Sequence, residues 1–392
     1  MPPNRRTLSA ACLVLASMTL PALTIHAAPS ANTRATAVTV ATLAPLDRAH
    51  TFAQVREGDA VRTLLVLALS DKNITALDLS ALSGLYSTDA FDVINRFSTA
   101  QLNDLASAKR GARAYAWLDL IGVGPRGLAH IAAGTNYPAH GDEVGVADAF
   151  LFPKISPAGG PRTTIVAGPG ALIDYEVEVC ARFDREIRSL HDFDEARKGF
   201  FVCGDFSDRA TMMRKLNLKE ITSGDGFPDA KSGPDRFPSG PFLVVPIDWK
   251  RFVSELVIET HVNGERRQLA AAAHMIKDLR TIVQETLDDA ATRTWSYQDG
   301  RIPMVRRSAI GTDSAILTGT GDGVVFQEPD TDTVKALMGA KDRAAQIVVI
   351  ERYIVSEAAK RTYLQPADRV RYSSNYLGAI DTRVIAPPRN DQ

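Results

Sequence analysis

Three carboxylates in the middle of the chain have a spacing that suits the binding of a metal ion. Polar and apolar residues alternate in 174–180 (DYEVEVC), which predicts a half-buried strand with Glu176 and Glu178 on one face, about 7 Å apart. A second apolar run, 199–205 (GFFVCGD), ends in Asp205, where a carboxylate can emerge at the tip of a buried strand. Oxygen ligands without histidine or cysteine favour Mg²⁺, Mn²⁺ or Ca²⁺ over Zn²⁺. Glu-x-Glu is, however, also common on solvated edge strands.

A candidate general base lies in the segment NYPAHGDEV. His140 and Glu143 are three residues apart, so a helical turn would place them face to face. A carboxylate that holds one imidazole nitrogen makes the other nitrogen a better base. The plainer interpretation is an exposed polar loop. Lys231 lies in the glycine- and proline-rich segment 221–241 and could donate to an oxyanion, although a single lysine is more often a solvated surface residue.

The elements that must position these residues follow from the hydrophobic pattern. The sequence SerThrAlaGln from Ser98 to Gln101 is a capping-box pattern at the start of a helix. Apolar residues at helical spacing predict an amphipathic helix over 268–289, with His274 outside the apolar stripe and at the surface. Strands are predicted at 62–68, 75–79 and 128–134, and further helices at 89–97 and 98–109.

The N-terminal stretch has the features of a targeting segment. Arg5 and Arg6 precede an apolar stretch at 8–25, and small residues near Ala28 offer a cleavage site. The sequence NRRTL also resembles a twin-arginine signal. A retained anchor is the alternative, because about 18 apolar residues nearly span a bilayer. We therefore expect a periplasmic or secreted protein with no membrane span after cleavage.

Composition predicts an ordinary globular protein beyond this segment. The chain has 392 residues, of which 45% are hydrophobic, and a formal net charge of −1, so no basic surface for nucleic acid is indicated and two domains or so can be accommodated. We expect a signal peptide at 1–28, a loose leader at 29–50, a small head domain at 51–126, a catalytic domain at 127–386 and a tail at 387–392.

The order and spacing of the motifs resemble those of the fumarylacetoacetate hydrolase family, which includes acylpyruvate hydrolases. The resemblance covers most of the chain. The family patterns are matched by Asn136, Tyr137, His140 and Glu143; by Asp174, Glu176 and Glu178; by Asp205, Ser207 and Arg209; by Lys231, Asp235, Gly240 and Pro241; and by the Thr-Gly-Thr sequence that ends in Thr320.

The resemblance implies an α+β, mainly β fold with a mixed β-sandwich or rolled sheet, usually in a homodimer. It also implies one divalent ion, commonly Mg²⁺ and sometimes Ca²⁺ or Mn²⁺. Glu176, Glu178 and Asp205 would hold this ion. The substrate implied is a small dioxo or oxo acid in which a carbon–carbon bond is hydrolysed.

The remaining motif residues acquire roles from the same resemblance. His140, oriented by Glu143, would take a proton from the attacking water. Lys231 and Thr320 would hydrogen-bond to the leaving enolate. The substrate contacts would include Tyr137 and Arg209.

The sequence departs from the family pattern in ways that bear on the substrate. The residue after Arg209 is usually Asp and is Ala210 here, and a Gln that many members use for a polar substrate contact is Met212 here. The wall of the site is therefore expected to be more apolar, which argues against fumarylacetoacetate itself. An insertion at 327–362 has apolar residues at helical spacing and predicts a helical excursion. It could be a lid, a dimer contact or decoration, and decoration is favoured.

Two other classes of function remain open. The same metal and fold in this family also serve decarboxylases, dehydratases and keto–enol isomerases of oxo acids. Those enzymes often lack the His-Glu pair, so the presence of His140 and Glu143 favours hydrolysis. A non-catalytic binder of oxo acids is the third class, but a binder has no evident need for the three carboxylates together with this pair.

Two cysteines remain once the signal peptide is removed. Cys180 shares the predicted strand face of Glu176 and Glu178, and Cys203 lies two residues before Asp205. An oxidising compartment permits a disulfide, but the Cα atoms must lie within about 7 Å of each other. Two buried free thiols are the commoner outcome and are the expectation here.

Overall fold

The protein has a mixed α+β architecture in which two sheets carry most of the strands, and the α+β class expected from the sequence is confirmed. The computed structural model describes residues 41–388, so the predicted signal peptide lies outside the described residues. The strands are β1 (Ala49–Glu57), β2 (Ala60–Leu69), β3 (Asn73–Asp78), β4 (Arg113–Ala116), β5 (Leu120–Ile121), β6 (Ala129–Gly134), β7 (Phe150–Ile155), β8 (Arg162–Val166), β9 (Ile173–Asp174), β10 (Val177–Phe183), β11 (Lys198–Gly204), β12 (Ser207–Asp208), β13 (Phe242–Pro246), β14 (Val257–Val262), β15 (Glu265–Ala271), β16 (Thr294–Tyr297), β17 (Gly300–Pro303), β18 (Ile316–Leu317), β19 (Arg369–Ser374) and β20 (Gly378–Ile385).

The helices are mostly short and begin at recognisable caps. Ser98 and Gln101 form the reciprocal capping box predicted for α3. Within residues 41–388 no helix is both long and apolar enough to cross a membrane. The helices are α1 (Leu79–Ser83), α2 (Ala90–Ile94), α3 (Thr99–Ala108), α4 (Pro138–Val144), α5 (Leu190–Glu195), α6 (Arg209–Lys215), α7 (Phe227–Lys231), α8 (Trp249–Ser254), α9 (Leu279–Asp289), α10 (Thr331–Gly339) and α11 (Arg343–Lys360).

The larger sheet joins the beginning of the chain to its middle. Its strand order is β4-β3-β2-β1-β13-β11-β10-β18-β6-β7, with β5 paired to β1. The strands are antiparallel neighbours except for β18 and β6, which run parallel. Because β1 pairs with β13 from Ala49 to Ala53, the stretch expected to form a head domain shares its sheet with the part that carries the carboxylates.

The chain is already packed before β1 begins. Ala44 is buried, and the backbone N–H of Thr42 donates to the carbonyl of Asn375 at 2.8 Å. Residues 41–50 therefore belong to the fold, whereas the sequence placed them in a loose leader. Sequence reasoning missed this because the partners of the segment are remote in the chain.

The second sheet, in the order β15-β14-β19-β20-β8, lies against β10 and β11. The close approach depends on Gly204, where a Cβ atom would lie 2.3 Å from the ring of Tyr372. Sequence reasoning expected a continuous helix over 268–289, and this is wrong for its first part. Gln268 and its neighbours up to Ala271 complete β15, because pairing with β14 outweighs the local helical periodicity.

The two strands that carry the carboxylates are neighbours near the centre of the larger sheet. Glu178 of β10 pairs with Cys203 of β11. The expectation of a half-buried strand is wrong, because every residue of β10 is buried. Its two edges pair with β11 and β18 and it packs against β14, and the burial of all its residues shows that neither face reaches solvent. Glu176 falls in the break between β9 and β10.

Cys180 and Cys203 form a disulfide, with their Cα atoms 5.9 Å apart. Cys180 pairs with Phe201, so the two cysteines are diagonal neighbours on one face of the sheet. The expectation of two free thiols is therefore wrong. It failed because the antiparallel register, which places the cysteines within disulfide distance, is a property of the tertiary structure.

The disulfide predicts a measurable difference between oxidised and reduced protein. The cysteines are separated by 23 residues, and closing a loop of this size stabilises the folded state by about 3 kcal/mol. Protein lacking residues 1–28 should show no free thiol when denatured without reductant. Its free energy of unfolding in urea should fall by about this amount when reductant is added. The Cys180→Ala, Cys203→Ala double variant should not respond to reductant, and two thiols in the unreduced protein would disprove the bridge.

Candidate active site

A cluster of three buried carboxylates lies where β10 and β11 meet. Glu176, Glu178 and Asp205 each offer one ligand oxygen, and these oxygens lie within 4.8 Å of one another. Glu178 belongs to β10, whereas Asp205 directly follows β11. The backbone N–H of Asp205 donates to the carbonyl of Glu176 at 2.9 Å, which continues the pairing beyond the strand ends. Antiparallel pairing therefore assembles the cluster that sequence spacing predicted.

Two buried lysines neutralise part of this cluster. The Nζ atom of Lys231 donates to Glu176 Oε2 at 2.5 Å, to Asp205 Oδ2 at 2.9 Å and to Ser207 Oγ at 2.7 Å. Lys154 Nζ donates to Asp205 Oδ1 at 2.6 Å and to the carbonyl of Lys231. Sequence reasoning missed Lys154. A signal was present, because this lysine lies in the apolar strand FLFPKI, where a charge needs a partner.

Arg209 is the third cation and lies at the first position of α6. Its Nε donates to Asp174 Oδ2 at 2.9 Å, and one Nη donates to Glu176 Oε1 at 2.6 Å. The guanidinium also lies 5.1 Å from the ring centre of Phe326. Asp174 accepts three further hydrogen bonds, from the backbone N–H groups of Tyr175, Val325 and Phe326. Within the Asp-x-Glu-x-Glu motif, Asp174 therefore holds Arg209, whereas Glu176 and Glu178 belong to the carboxylate cluster.

Glu178 differs from the other two carboxylates in its electrostatic environment. It is almost fully buried and accepts a hydrogen bond from the N–H of Gly319 at 2.5 Å, yet it forms no ion pair with any described residue. Burial, followed by the charges of Asp205 and Glu176, raises its pKa well above the usual range. Burial alone would also raise the pKa of Glu176, but Lys231 and Arg209 lower it to about 2. A hard divalent cation bound by carboxylate oxygens would supply the missing charge at Glu178.

His140 and Glu143 form a pair in α4. His140 Nδ1 donates to Glu143 Oε2 at 3.1 Å, and both side chains are largely buried. Glu143 also accepts from the N–H of Gly323 at 3.1 Å and from Gln327 Nε2 at 2.7 Å, so its carboxylate is fixed from three sides. Pro138 at the first turn favours the helix. The plainer interpretation of this segment as an exposed polar loop is wrong.

The residues predicted to contact the substrate differ in their position relative to the cavity. Thr320 is buried, with its hydroxyl donating to the carbonyl of Val177 at 2.8 Å and accepting from Gln268 Nε2 at 2.9 Å. The hydroxyl of Tyr137 is buried and has no hydrogen-bond partner among the described residues. Arg209 and Thr320 line the cavity beside the carboxylates, and Tyr137 is not among the residues that line it.

One cavity of about 190 Å³ is lined both by the histidine and by Glu176, one of the three carboxylates of the cluster. Its wall includes His140, Glu176 and Lys231. The helical insertion also contributes, because Leu337 and Met338 of α10 line the same cavity. Decoration, the role that sequence reasoning favoured for 327–362, is therefore wrong: α10 closes part of the site.

The fold and this site define the class of protein. Residues 129–385 match the family model described as fumarylacetoacetate (FAA) hydrolase C-terminal, and the chain belongs to this family. The resemblance noted from the motifs is thereby confirmed. A comparison with curated protein sequences gave no significant match.

Solved structures with the same fold have low sequence identity to this chain. The fumarylacetoacetate hydrolase from psychrophilic Exiguobacterium antarcticum is 18% identical, with 86% of this chain and all of that chain covered and a TM-score of 0.54. The maleylpyruvate hydrolase from Sphingobium sp. SYK-6, in complex with manganese(II) and pyruvate, is 18% identical over 87% of this chain and all of its own, with a TM-score of 0.53. The 2-hydroxyhepta-2,4-diene-1,7-dioate isomerase from Mycobacterium marinum is 17% identical with the same coverage and a TM-score of 0.52.

The raised pKa of Glu178 predicts how metal-free protein responds to pH. A carboxyl whose pKa is raised on folding stabilises the protein below its unfolded pKa, and that stabilisation is lost as pH rises through the folded value. The melting temperature of metal-free wild type should therefore fall from about pH 5 to about pH 8 more than that of Glu178→Gln. The lowered pKa of Glu176 has the opposite effect on stability. It stabilises the folded protein above about pH 4.5, and this stabilisation is lost only as pH falls below that value.

Thermal unfolding after chelation measures this difference. A divalent ion should restore the wild type at the higher pH and have a smaller effect on Glu178→Gln. The control is Glu220→Gln at an exposed glutamate, which should follow the wild type throughout. Parallel pH profiles for wild type and Glu178→Gln would contradict the electrostatic account of the cluster.

Proposed function

We propose that this protein is a divalent-metal-dependent hydrolase that cleaves a carbon–carbon bond in a small 2,4-dioxo acid of the acylpyruvate type. The observation that carries the proposal is that Glu176 of the carboxylate cluster and His140 of the His140–Glu143 pair line one cavity. Water adds across the bond between the acyl carbon and the neighbouring carbon. The acyl carbon takes the hydroxyl and becomes a carboxylic acid, and the other carbon takes the proton as the 2-oxo acid leaves.

Glu176, Glu178 and Asp205 would hold one divalent cation, and Mg²⁺ is the first choice because all three ligands are carboxylates. When bound, such an ion supplies a Lewis acid that polarises substrate oxygens. The similar Sphingobium hydrolase contains manganese(II) and pyruvate, which supports a divalent ion and a 2-oxo acid as occupants of this kind of site.

His140 is the residue that would take a proton from the attacking water. Its Nδ1–H is donated to Glu143, so the other ring nitrogen, Nε2, is left as the acceptor. Glu143 favours the imidazolium that forms when this proton arrives. The hydrogen bonds from Gly323 and Gln327 prevent the carboxylate from turning away during the reaction.

Lys231 would stabilise the negative charge that develops on the departing enolate. Burial by itself lowers its pKa, but the carboxylates of Asp205 and Glu176 outweigh this and raise it, so the ammonium keeps its charge. A fixed positive charge in a site that excludes water favours a transition state with growing negative charge. Thr320 lies on the same wall, and its hydroxyl proton is already donated to a carbonyl. We therefore assign Thr320 the role of holding in place the loop that carries Gly319.

We also propose export to an oxidising compartment such as the periplasm, with removal of residues 1–28. The Cys180–Cys203 bridge supports this location, because disulfides persist in oxidising compartments. A homodimer is part of the same proposal, and sedimentation of the mature protein tests it.

Two substitutions distinguish the water-activating pair from the metal cluster. His140→Ala should leave metal content nearly intact and lower the turnover of acylpyruvates by roughly 10²–10⁴-fold, the usual contribution of a positioned base. Added metal should not rescue it. Glu178→Gln should bind metal more weakly, so excess Mg²⁺ should restore part of its activity. Loss of diketone absorbance and metal analysis provide the two measurements.

The same assay tests the alternative reactions. Enolisation or decarboxylation of oxaloacetate needs no water-activating base, so His140→Ala should retain either reaction if the wild type has it. Full acylpyruvate hydrolysis by His140→Ala would refute the hydrolase mechanism and favour a decarboxylase, dehydratase or keto–enol isomerase. Binding of oxo acids without turnover by metal-loaded wild type would favour a binding protein.

A further inference from the structure

We propose that the substrate carries an apolar acyl group, up to about the size of a phenyl ring or a branched five- to six-carbon chain, and that α6 and α10 bind it. This inference rests on the proposed function, since it assumes that the head of the substrate lies at the carboxylate cluster. The insertion that carries α10 would then form part of the substrate site.

Helix α6 connects the charged part of the cavity to an apolar part. Arg209, at its first position, donates to Glu176 of the cluster. Met212, Met213 and Leu216 follow at three, four and seven residues and line the same cavity, as expected for one helix face. Leu216, which directly follows the helix as its C-cap, is displaced from Arg209 by about 10 Å along the helix axis, since each residue adds 1.5 Å. The cavity therefore becomes apolar with increasing distance from the metal ligands.

The insertion supplies another apolar wall of the cavity. Val334, Leu337 and Met338 of α10 lie at positions i, i+3 and i+4 and all line the cavity. Phe326, which leads into the insertion, also lines the cavity and packs over the guanidinium of Arg209. An apolar group in this space would be covered on two sides by aliphatic and thioether side chains, which adapt well to irregular ligands.

The cavity volume limits the size of the group. It measures about 190 Å³, and an apolar protein cavity of about 150 Å³ is large enough to bind benzene. The head of the substrate takes part of this volume, and the remaining apolar part has room for an acyl group larger than methyl, up to about a phenyl ring or a branched aliphatic chain. Apolar area removed from water contributes about 25 cal/mol per Å² to binding, so the larger group binds better.

The charges around the cavity argue against a second carboxylate on the acyl group. In the ion-pair network of the cluster four acidic side chains outnumber three basic ones, so no basic side chain of this network is left to pair with a second substrate carboxylate. The groups counted are Asp174, Glu176, Glu178, Asp205, Lys154, Lys231 and Arg209.

No described residue at the apolar part of the cavity would pair with a further anion. The cations on the cavity wall, Arg209 and Lys231, are both engaged with carboxylates, and His140 is paired with Glu143. Glu328, which also lines the cavity, would repel a carboxylate. An unpaired anion in an apolar site is strongly disfavoured.

A matched pair of substrates tests the inference directly. The 4-methylpentanoyl and succinyl derivatives of pyruvate have similar shapes, but an isopropyl group in the first replaces a carboxylate in the second. The metal-loaded enzyme should hydrolyse the 4-methylpentanoyl and benzoyl compounds with kcat/KM about 10²-fold above the succinyl compound. Acetylpyruvate should fall between them. Calorimetric binding of unreactive 2-oxo acids with the same tails should give the same order.

Two substitutions that preserve side-chain volume, with one control, locate the apolar wall. Met212→Gln and Val334→Thr introduce polar atoms into the cavity and should each lower the 4-methylpentanoyl to succinyl ratio by about tenfold. Val348→Thr makes the same chemical change as Val334→Thr on α11, at a residue that is 51% exposed and does not line the cavity. It should leave the ratio unchanged, and circular dichroism should show all three variants folded.

The outcomes separate this inference from the proposed function. If no dioxo acid is hydrolysed but apolar 2-oxo acids bind more tightly than succinyl-type acids, the hydrolase proposal fails and the apolar subsite stands. If hydrolysis occurs and the succinyl compound is the better substrate, the inference is overturned while the hydrolase proposal stands. An unchanged ratio in Met212→Gln and Val334→Thr would also overturn it.

Discussion

The structure depends on one electrostatic constraint, the burial of three carboxylates whose oxygens lie within 4.8 Å of one another. Such a cluster is unfavourable without positive charge, because burial removes the solvation that ionised groups need. The protein supplies Lys154 and Lys231 to two of the carboxylates and leaves Glu178 without a cationic side chain among the described residues. A divalent cation held by the three carboxylates would supply the positive charge that Glu178 lacks.

The backbone around the cluster is held by several independent restraints. Pairing of β10 with β11 sets the distance between the ligand-bearing segments, and the Cys180–Cys203 disulfide joins the same two strands covalently. Gly204 allows Tyr372 of the second sheet to pack directly on β11. Gly319, with a φ of 93° that favours glycine, places its N–H against Glu178. Rigid positioning of ligands in this way is what a metal site requires.

The site combines two chemically different surfaces because single elements contribute to both. Helix α6 begins with Arg209 at the carboxylates and continues with methionines that line the cavity. The segment after the Thr-Gly-Thr loop provides Gln327 to hold Glu143, then continues into α10, which covers the apolar part. An insertion in the chain therefore forms part of the cavity wall, while the charged part follows the pattern of the family.

The sequence by itself determined the family, the α+β class and the identity of the clustered carboxylates, because these depend on motifs whose order and spacing are local. It also indicated the apolar character of the wall through Met212. The disulfide, the burial of β10, the strand at Gln268 and the position of α10 over the cavity were decided by the tertiary structure. Lys154 shows why. A single lysine in an apolar strand reveals that a buried partner must exist, but only the folded chain brings Asp205, 51 residues away, to meet it.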